Sequence, residues 1–229
     1  MSEIRIIPIA GIPEVLAGDD LALLMVDAAG EDAFQESDVV VVTQKVVSKS
    51  EGRCVKALDK ANSIAAESKR VLRRTLEGMV IAETHHGFVC ANAGVDQSNV
   101  NGDNIALLPV DPDASARRIR SRIKHLTGVD VGIVVSDTFG RAWRLGQTNV
   151  AIGVAGIEPF VDYRNTVDGH GHPLTATRIA VADEIAGAAE LVMGKTDGIC
   201  AAIVRGAKVQ PGRGAATELI RPPREDLFR

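Results

Sequence analysis

Apolar positions along the chain fall into short unbroken runs and helical stripes. Residues 3–9 read as a strand closing near Pro8, followed by the turn Gly11-Ile12-Pro13. Asp19 or Asp20 can cap a helix whose inward face is Leu21, Leu24, Met25 and Ala28. Asp38-Val39-Val40-Val41-Val42-Thr43 is too stiff for a helix and has no polar alternation, which predicts a strand buried on both faces. Residues 45–49 either extend that strand or bend away from it, and the polar stretch 59–75 reads as an exposed helix. Residues 106–110 form a strand stopped by Pro109. Asp113 then caps a helix with Ile119, Ile123 and Leu126 inward and Gly128 at its end. Residues 129–136 make a strand ending in Asp137-Thr138-Phe139-Gly140-Arg141. A helix over 182–193 stops at Gly194, and a strand over 199–204 opens into the glycine-rich loop 205–214. Strands and helices alternate without a regular βαβ rhythm, so a mixed α+β fold is expected rather than a doubly wound sheet. No linker or repeat divides the sequence, and one domain over residues 1–229 is expected.

Composition narrows the functional classes. The net charge of −4 and the scarcity of rings (five Phe, one Trp, one Tyr) disfavour a nucleic-acid binder, which needs basic excess and stacking side chains. No apolar run is long enough to cross a membrane, and residues 1–8 carry no signal-peptide core. Cys54, Cys90 and Cys200 are odd in number and widely spaced, as befits reduced thiols in a cytoplasmic protein.

Several segments have the composition of a site. Residues 189–196 nearly spell a P-loop, but Gly194 falls at a helix end, where carbonyls rather than amides point outward, so an ordinary helix stop is the better reading. His85 and His86 face opposite ways on a strand, and His170-Gly171-His172 reads as a surface loop. Asp137 and Thr138 follow a buried run and put a carboxylate and a hydroxyl at its end, with Arg141 and Arg144 nearby; such oxygens suit hard Mg²⁺ or Mn²⁺. Asp96 lies among Asn92, Gly94, Gln97, Ser98 and Asn99, a composition suited to a tight loop around a ligand. If the two aspartates meet, they form a divalent-metal pair. Lys45, Lys49 and Arg53 make a third polar cluster, with a phosphate-reaching lysine and a solvated strand end equally open. The basic residues 117–124 are most simply the wet face of a helix, and the loop 205–214 has amides able to cradle an anion.

Taken together, Gly11-Ile12-Pro13-Glu14, Val46-Val47-Ser48-Lys49-Ser50-Glu51-Gly52-Arg53, residues 92–99, residues 107–113, Asp137-Thr138-Phe139-Gly140-Arg141 and residues 181–186 resemble the coenzyme F420-0:L-glutamate ligases, in the family's order over nearly the whole chain. The resemblance implies the single-domain form and an intertwined α+β homodimer. It implies GTP-dependent addition of L-glutamate to the deazaflavin coenzyme F420-0, γ-linked after the first residue. Mg²⁺ or Mn²⁺ is the implied metal, up to two ions, with K⁺ a further candidate cation. Family nucleotide contacts fall on Ile12, Pro13, Glu14, Val15, Gln44, Lys49 and Asn99, and metal positions on Asp96, Asp137 and Thr138. On this reading Asp137 is catalytic, and Arg141 or Arg144 receives the acceptor's carboxylate. Gln44 stands where family members often have a small hydroxyl residue. The C-terminal glycine loop, which usually supplies an acid for the second metal, has none before Glu218 here. The alternatives are a metal-dependent phosphotransferase or nucleotide hydrolase using the same carboxylates, and a GTP-binding module without turnover.

Overall fold

Residues 3–98 and 102–226 are described by the computed structural model. Strand β1 (Arg5–Pro8) leads through a loop to helix α1 (Leu21–Ala29), and of the two candidate caps it is Asp20 that accepts from Leu23 N, at 3.1 Å. The valine run is β2 (Val39–Thr43), with all four valines fully buried. The chain then turns at Thr43 into helix α2 (Gln44–Ser50) instead of extending the strand. Local propensity is overridden here by packing, since Val47 and Ser48 are drawn into the interior.

Residues 59–75 are not one helix. After β3 (Cys54–Lys56), helix α3 (Lys60–Glu67) ends at Ser68, and the remainder is strand β4 (Ser68–Arg74), paired with β5 (Val80–Thr84), which in turn pairs with β6 (Val89–Ala91). The side chains of β4 are nearly all exposed, so no apolar alternation marks it. Its Lys69 and Arg70 instead neutralise the buried Glu83 on β5, at 3.0 and 3.3 Å. The strand expected at 106–110 is shifted upstream, to β7 (Asn104–Ala106), where it pairs with β3.

Helix α4 (Pro112–Thr127) is capped by Asp111, whose carboxylate accepts from Ala114 N at 2.8 Å. Asp113, the expected cap, is buried and accepts from Val154 N at 2.7 Å and Ala216 N at 2.8 Å, tying the helix to distant backbone. Gly128 takes the left-handed conformation that ends the helix, as its place in the sequence suggests. Next, β8 (Gly132–Arg141) runs straight through Asp137 and forms a long hairpin with β9 (Arg144–Ala155), with a bulge between Val135 and Ser136. Four two-residue strands follow, β10 (Val161–Asp162), β11 (Thr166–Val167), β12 (Pro173–Leu174) and β13 (Arg178–Ile179). The described chain then adds α5 (Val181–Met193), stopped at Gly194, and β14 (Ala201–Arg205).

The main sheet has the order β1-β14-β2-β8-β9, and within it only β2 and β8 are parallel. The expected mixed α+β architecture is observed. Val40, Val42, Ile133 and Val135 face α1 and α4, while Val39, Val41 and Val134 face α5, so both faces of the central strands are dry. Because β2 and β8 run parallel, Thr43 and Ser136 finish side by side. Antiparallel β14 starts at the same edge, where Cys200 O accepts from Thr43 N at 2.9 Å. One end of the sheet therefore gathers the last residues of two strands and the entry to a third.

Candidate active site

A cleft of about 1010 Å³ opens at that end of the sheet. Its walls are the loop after β1 (Ile12, Pro13, Glu14, Val15), the start of α2, the segment 90–98, residues 136–140 of β8 and the residues following α5. The loop is held on α2 by Gly18 N donating to Ser50 O at 2.8 Å, and is braced internally by Leu16 N donating to the Asp19 carboxylate at 2.7 Å. Lys49 spans the wall and pairs with Glu14 at 2.7 Å. Gln44 reaches the cleft lining but is only 1% exposed, its amide nitrogen committed to Ser48 Oγ at 2.7 Å and Leu107 O at 3.0 Å. Asn99 lies outside the described residues.

Asp96 and Asp137, far apart in sequence, both line this cleft. Backbone hydrogen bonds to Ala106 in both directions, at 3.0 and 2.7 Å, hold Asp96 against β7. Although burial opposes its charge, Asp96 stays below the ordinary carboxylate range, because Lys45 and Ser98 donate to it and the Lys45 ammonium is 2.8 Å away. Asp137 behaves oppositely. Burial pushes its pKa up to about 7; the Thr138 N–H, at 2.8 Å, opposes that rise, the negative field of Asp96 adds to it, and Lys45 and Lys195 draw it down. Its second oxygen receives no hydrogen bond among the described residues. Beside it, Ser136 Oγ is buried at the cleft edge without a partner among those residues. Two carboxylates in one another's field, with the buried and unpartnered Ser136 hydroxyl also at the cleft edge, are oxygen donors of the kind a hard divalent ion takes, its shell completed by water or phosphate oxygens. Among the described residues no group of three or more His, Cys, Asp or Glu side chains is placed to hold a metal ion, in this cleft or elsewhere. His85 and His86 bind the backbone carbonyls of Ala66 and Pro109, each at 2.9 Å, and His172 pairs with Asp168 on the surface.

Thr138 is also in the cleft, but its hydroxyl is engaged. It donates to Asn149 Oδ1 at 2.6 Å and accepts from Lys195 Nζ at 2.6 Å. Asn149 donates to Glu190 at 2.7 Å, and Glu190 pairs with Lys195 at 2.8 Å, closing a ring of four side chains. Sequence reasoning passed over Lys195. Gly194 ends helix α5, as its place in the sequence suggests, and the residues after it line the cleft wall; the only signal was the near-motif itself.

Two expected features lie elsewhere. Arg141 does not line the cleft; it is exposed near the hairpin tip and donates to Leu145 O at 2.5 Å, and Arg144 is at the same tip. The reason is the continuation of β8, which carries the chain four residues beyond Asp137 before it turns. The glycine-rich loop 205–214 follows the far end of β14, where Arg205 joins Asp38, and packs against Glu158, so it is absent from the cleft lining.

Comparison with known proteins identifies the relationship. Residues 10–206 match the family model described as F420-0:Gamma-glutamyl ligase. The coenzyme F420:L-glutamate ligase of Methanothermobacter thermautotrophicus is 40% identical to this chain, the match covering 99% of each. That of Methanopyrus kandleri is 40% identical, covering 99% of this chain and 98% of the relative, and that of Archaeoglobus fulgidus is 38% identical, covering 99% and 96%. With a family model spanning most of its length and relatives this similar from end to end, the chain belongs to the F420-0:gamma-glutamyl ligase family.

Proposed function

We propose that the cleft catalyses GTP-dependent ligation of L-glutamate to F420-0, through an acyl phosphate. The observation that carries this reading is the convergence of Asp96 and Asp137 beneath a wall bearing Lys45, Lys49 and Lys195. A carboxylate cannot acylate an amine directly, because oxide is too poor a leaving group. Transfer of the γ-phosphoryl group of GTP to the acceptor's carboxylate oxygen releases GDP and leaves an acyl phosphate. The glutamate amine then attacks the acyl carbon, phosphate departs, and the amine loses its proton.

All three reactants are anionic, so the protein's task is to hold them together without repulsion. Lys49 and Lys45 supply ammonium donors to phosphate oxygens, and residues 12–15 form the wall against which the nucleotide rests. Asp96 and Asp137 would hold Mg²⁺ or Mn²⁺, which supplies charge neutralisation at the transferring phosphoryl group. With Arg141 on the hairpin tip, the acceptor's carboxylate is met by the cleft lysines instead.

Incubation with GTP, Mn²⁺, L-glutamate and F420-0 is expected to give a product heavier by one glutamyl residue together with one GDP per bond formed. GTP consumption without a glutamylated product would reject the reading. A second expectation concerns pH. Asp137 takes up a proton near pH 7, and an ion binds only its ionised form. Mn²⁺ affinity should rise about tenfold per pH unit below about pH 7 and level off above it. Calorimetry in buffers of different ionisation enthalpy should find about one proton released at low pH and almost none on the plateau.

A further inference from the structure

We infer that this chain works with a single divalent ion, the Lys195 ammonium taking the place of a second cation beside Thr138. The inference rests on the reading of Asp96 and Asp137 as metal carboxylates. Thr138 follows Asp137 on β8, so its hydroxyl is the natural oxygen for another ion in the same cleft. That oxygen is already served. Its proton goes to Asn149 Oδ1 at 2.6 Å, and it accepts from Lys195 Nζ at 2.6 Å. The carboxylate of the same ring, Glu190, is neutralised by that ammonium at 2.8 Å and fixed by Asn149 Nδ2 at 2.7 Å.

A divalent ion bound to the Thr138 hydroxyl would face the ammonium at close range, and would compete with it for Glu190. Both costs are electrostatic and both fall in a partly buried setting, where like charges repel more strongly than in water. Charge counting agrees. Glu190 is paired with Lys195 and Asp96 with Lys45, so among the described residues the carboxylate of the cluster without an ion-pair partner is that of Asp137, not one beside Thr138 Oγ1 and Lys195. The loop 205–214 carries no acidic side chain, follows the opposite end of β14 and is not part of the cleft lining. The Lys195 ammonium, on the cleft wall, can screen a phosphoryl oxygen without metal loading.

The test is an ion count with a location. Crystals of the full chain grown with Mn²⁺ and GDP should show one anomalous peak at the manganese edge, at Asp96 and Asp137. The loss of free Mn²⁺ electron-spin signal, corrected with a protein-free GDP blank, should give one ion per chain. Lys195→Glu, checked for native melting behaviour, should gain a second peak at Thr138 and a second ion in solution. Two ions in the wild type would overturn this inference while leaving the metal reading of the aspartates intact. One ion in both proteins would overturn it too, because the ammonium would not be what excludes the second. No ion at all would overturn the inference and the metal reading together.

Discussion

Replacing Asp137 by asparagine is expected to lower glutamyl transfer by at least about a thousandfold while leaving the protein folded. The amide is nearly isosteric, so β8 and its hairpin with β9 are undisturbed, but it is a poor ligand for a hard ion and carries no charge. Stability should move the other way. The carboxyl of Asp137 titrates at about 7 in the fold, against an ordinary value of 3.8. Between those two values the native state holds a proton that the unfolded chain has lost, so the wild-type, metal-free protein loses stability as pH rises through that window. The amide of the Asp137→Asn variant has no such proton to lose. The variant should therefore exceed the wild type by on the order of 4 kcal/mol in urea unfolding above pH 7, and the gap should close as pH falls toward 4. A constant difference across that range would show that Asp137 is not held in an environment hostile to its charge. Near-normal turnover in the folded variant would remove it from the mechanism.

Arg205→Ala is expected to cost about 3–5 kcal/mol of stability. Asp38 is 1% exposed at the start of the valine strand, and Arg205 grips it with two nitrogens, at 2.9 and 2.8 Å, while also donating to Ala33 O at 2.6 Å. Removing the guanidinium leaves a buried carboxylate that, among the described residues, keeps only the backbone N–H of Gln35, at 2.8 Å. Arg205→Lys should lose less, since it keeps the charge but not the two-pronged geometry. Thermal or urea unfolding measures both. Because this pair is at the end of the sheet away from the cleft, the affinity of the folded Arg205→Ala protein for Mn²⁺ should be unchanged. A loss of metal affinity matching the loss of stability would mean that the two ends of the sheet are coupled.

Much of the site was legible residue by residue and almost none of it as an arrangement. Asp96 stood out because amides and small residues surround it, and Asp137 because a carboxylate follows a run that must be buried. Their meeting depends on the parallel pairing of β2 with β8 and on the bridge from Asp96 to Ala106, neither of which leaves a local trace. Arg141 misled for a related reason. Residues 137–141 look like a loop, being polar and containing glycine, yet pairing with β9 keeps them in a strand and carries the arginine out to the hairpin tip. Lys195 was hidden by the reading of Gly194 as an ordinary helix stop, which it is; a helix stop still has to send the chain somewhere, and here it sends it past Thr138.

Local chemistry by itself determined the buried valine strand, the helices ending at Gly128 and Gly194, and the mixed order of strands and helices. In each case the cause acts within a few residues, through stiff side chains, capping carboxylates and glycine's access to left-handed backbone. Only the tertiary structure decided that residues 44–50 form a helix, that 68–74 extend, and that the acids and lysines share one cleft while loop 205–214 lies elsewhere. Those outcomes come from contacts between segments distant in sequence, and a hydrogen-bonded register across a sheet has no counterpart in the order of residues along one strand.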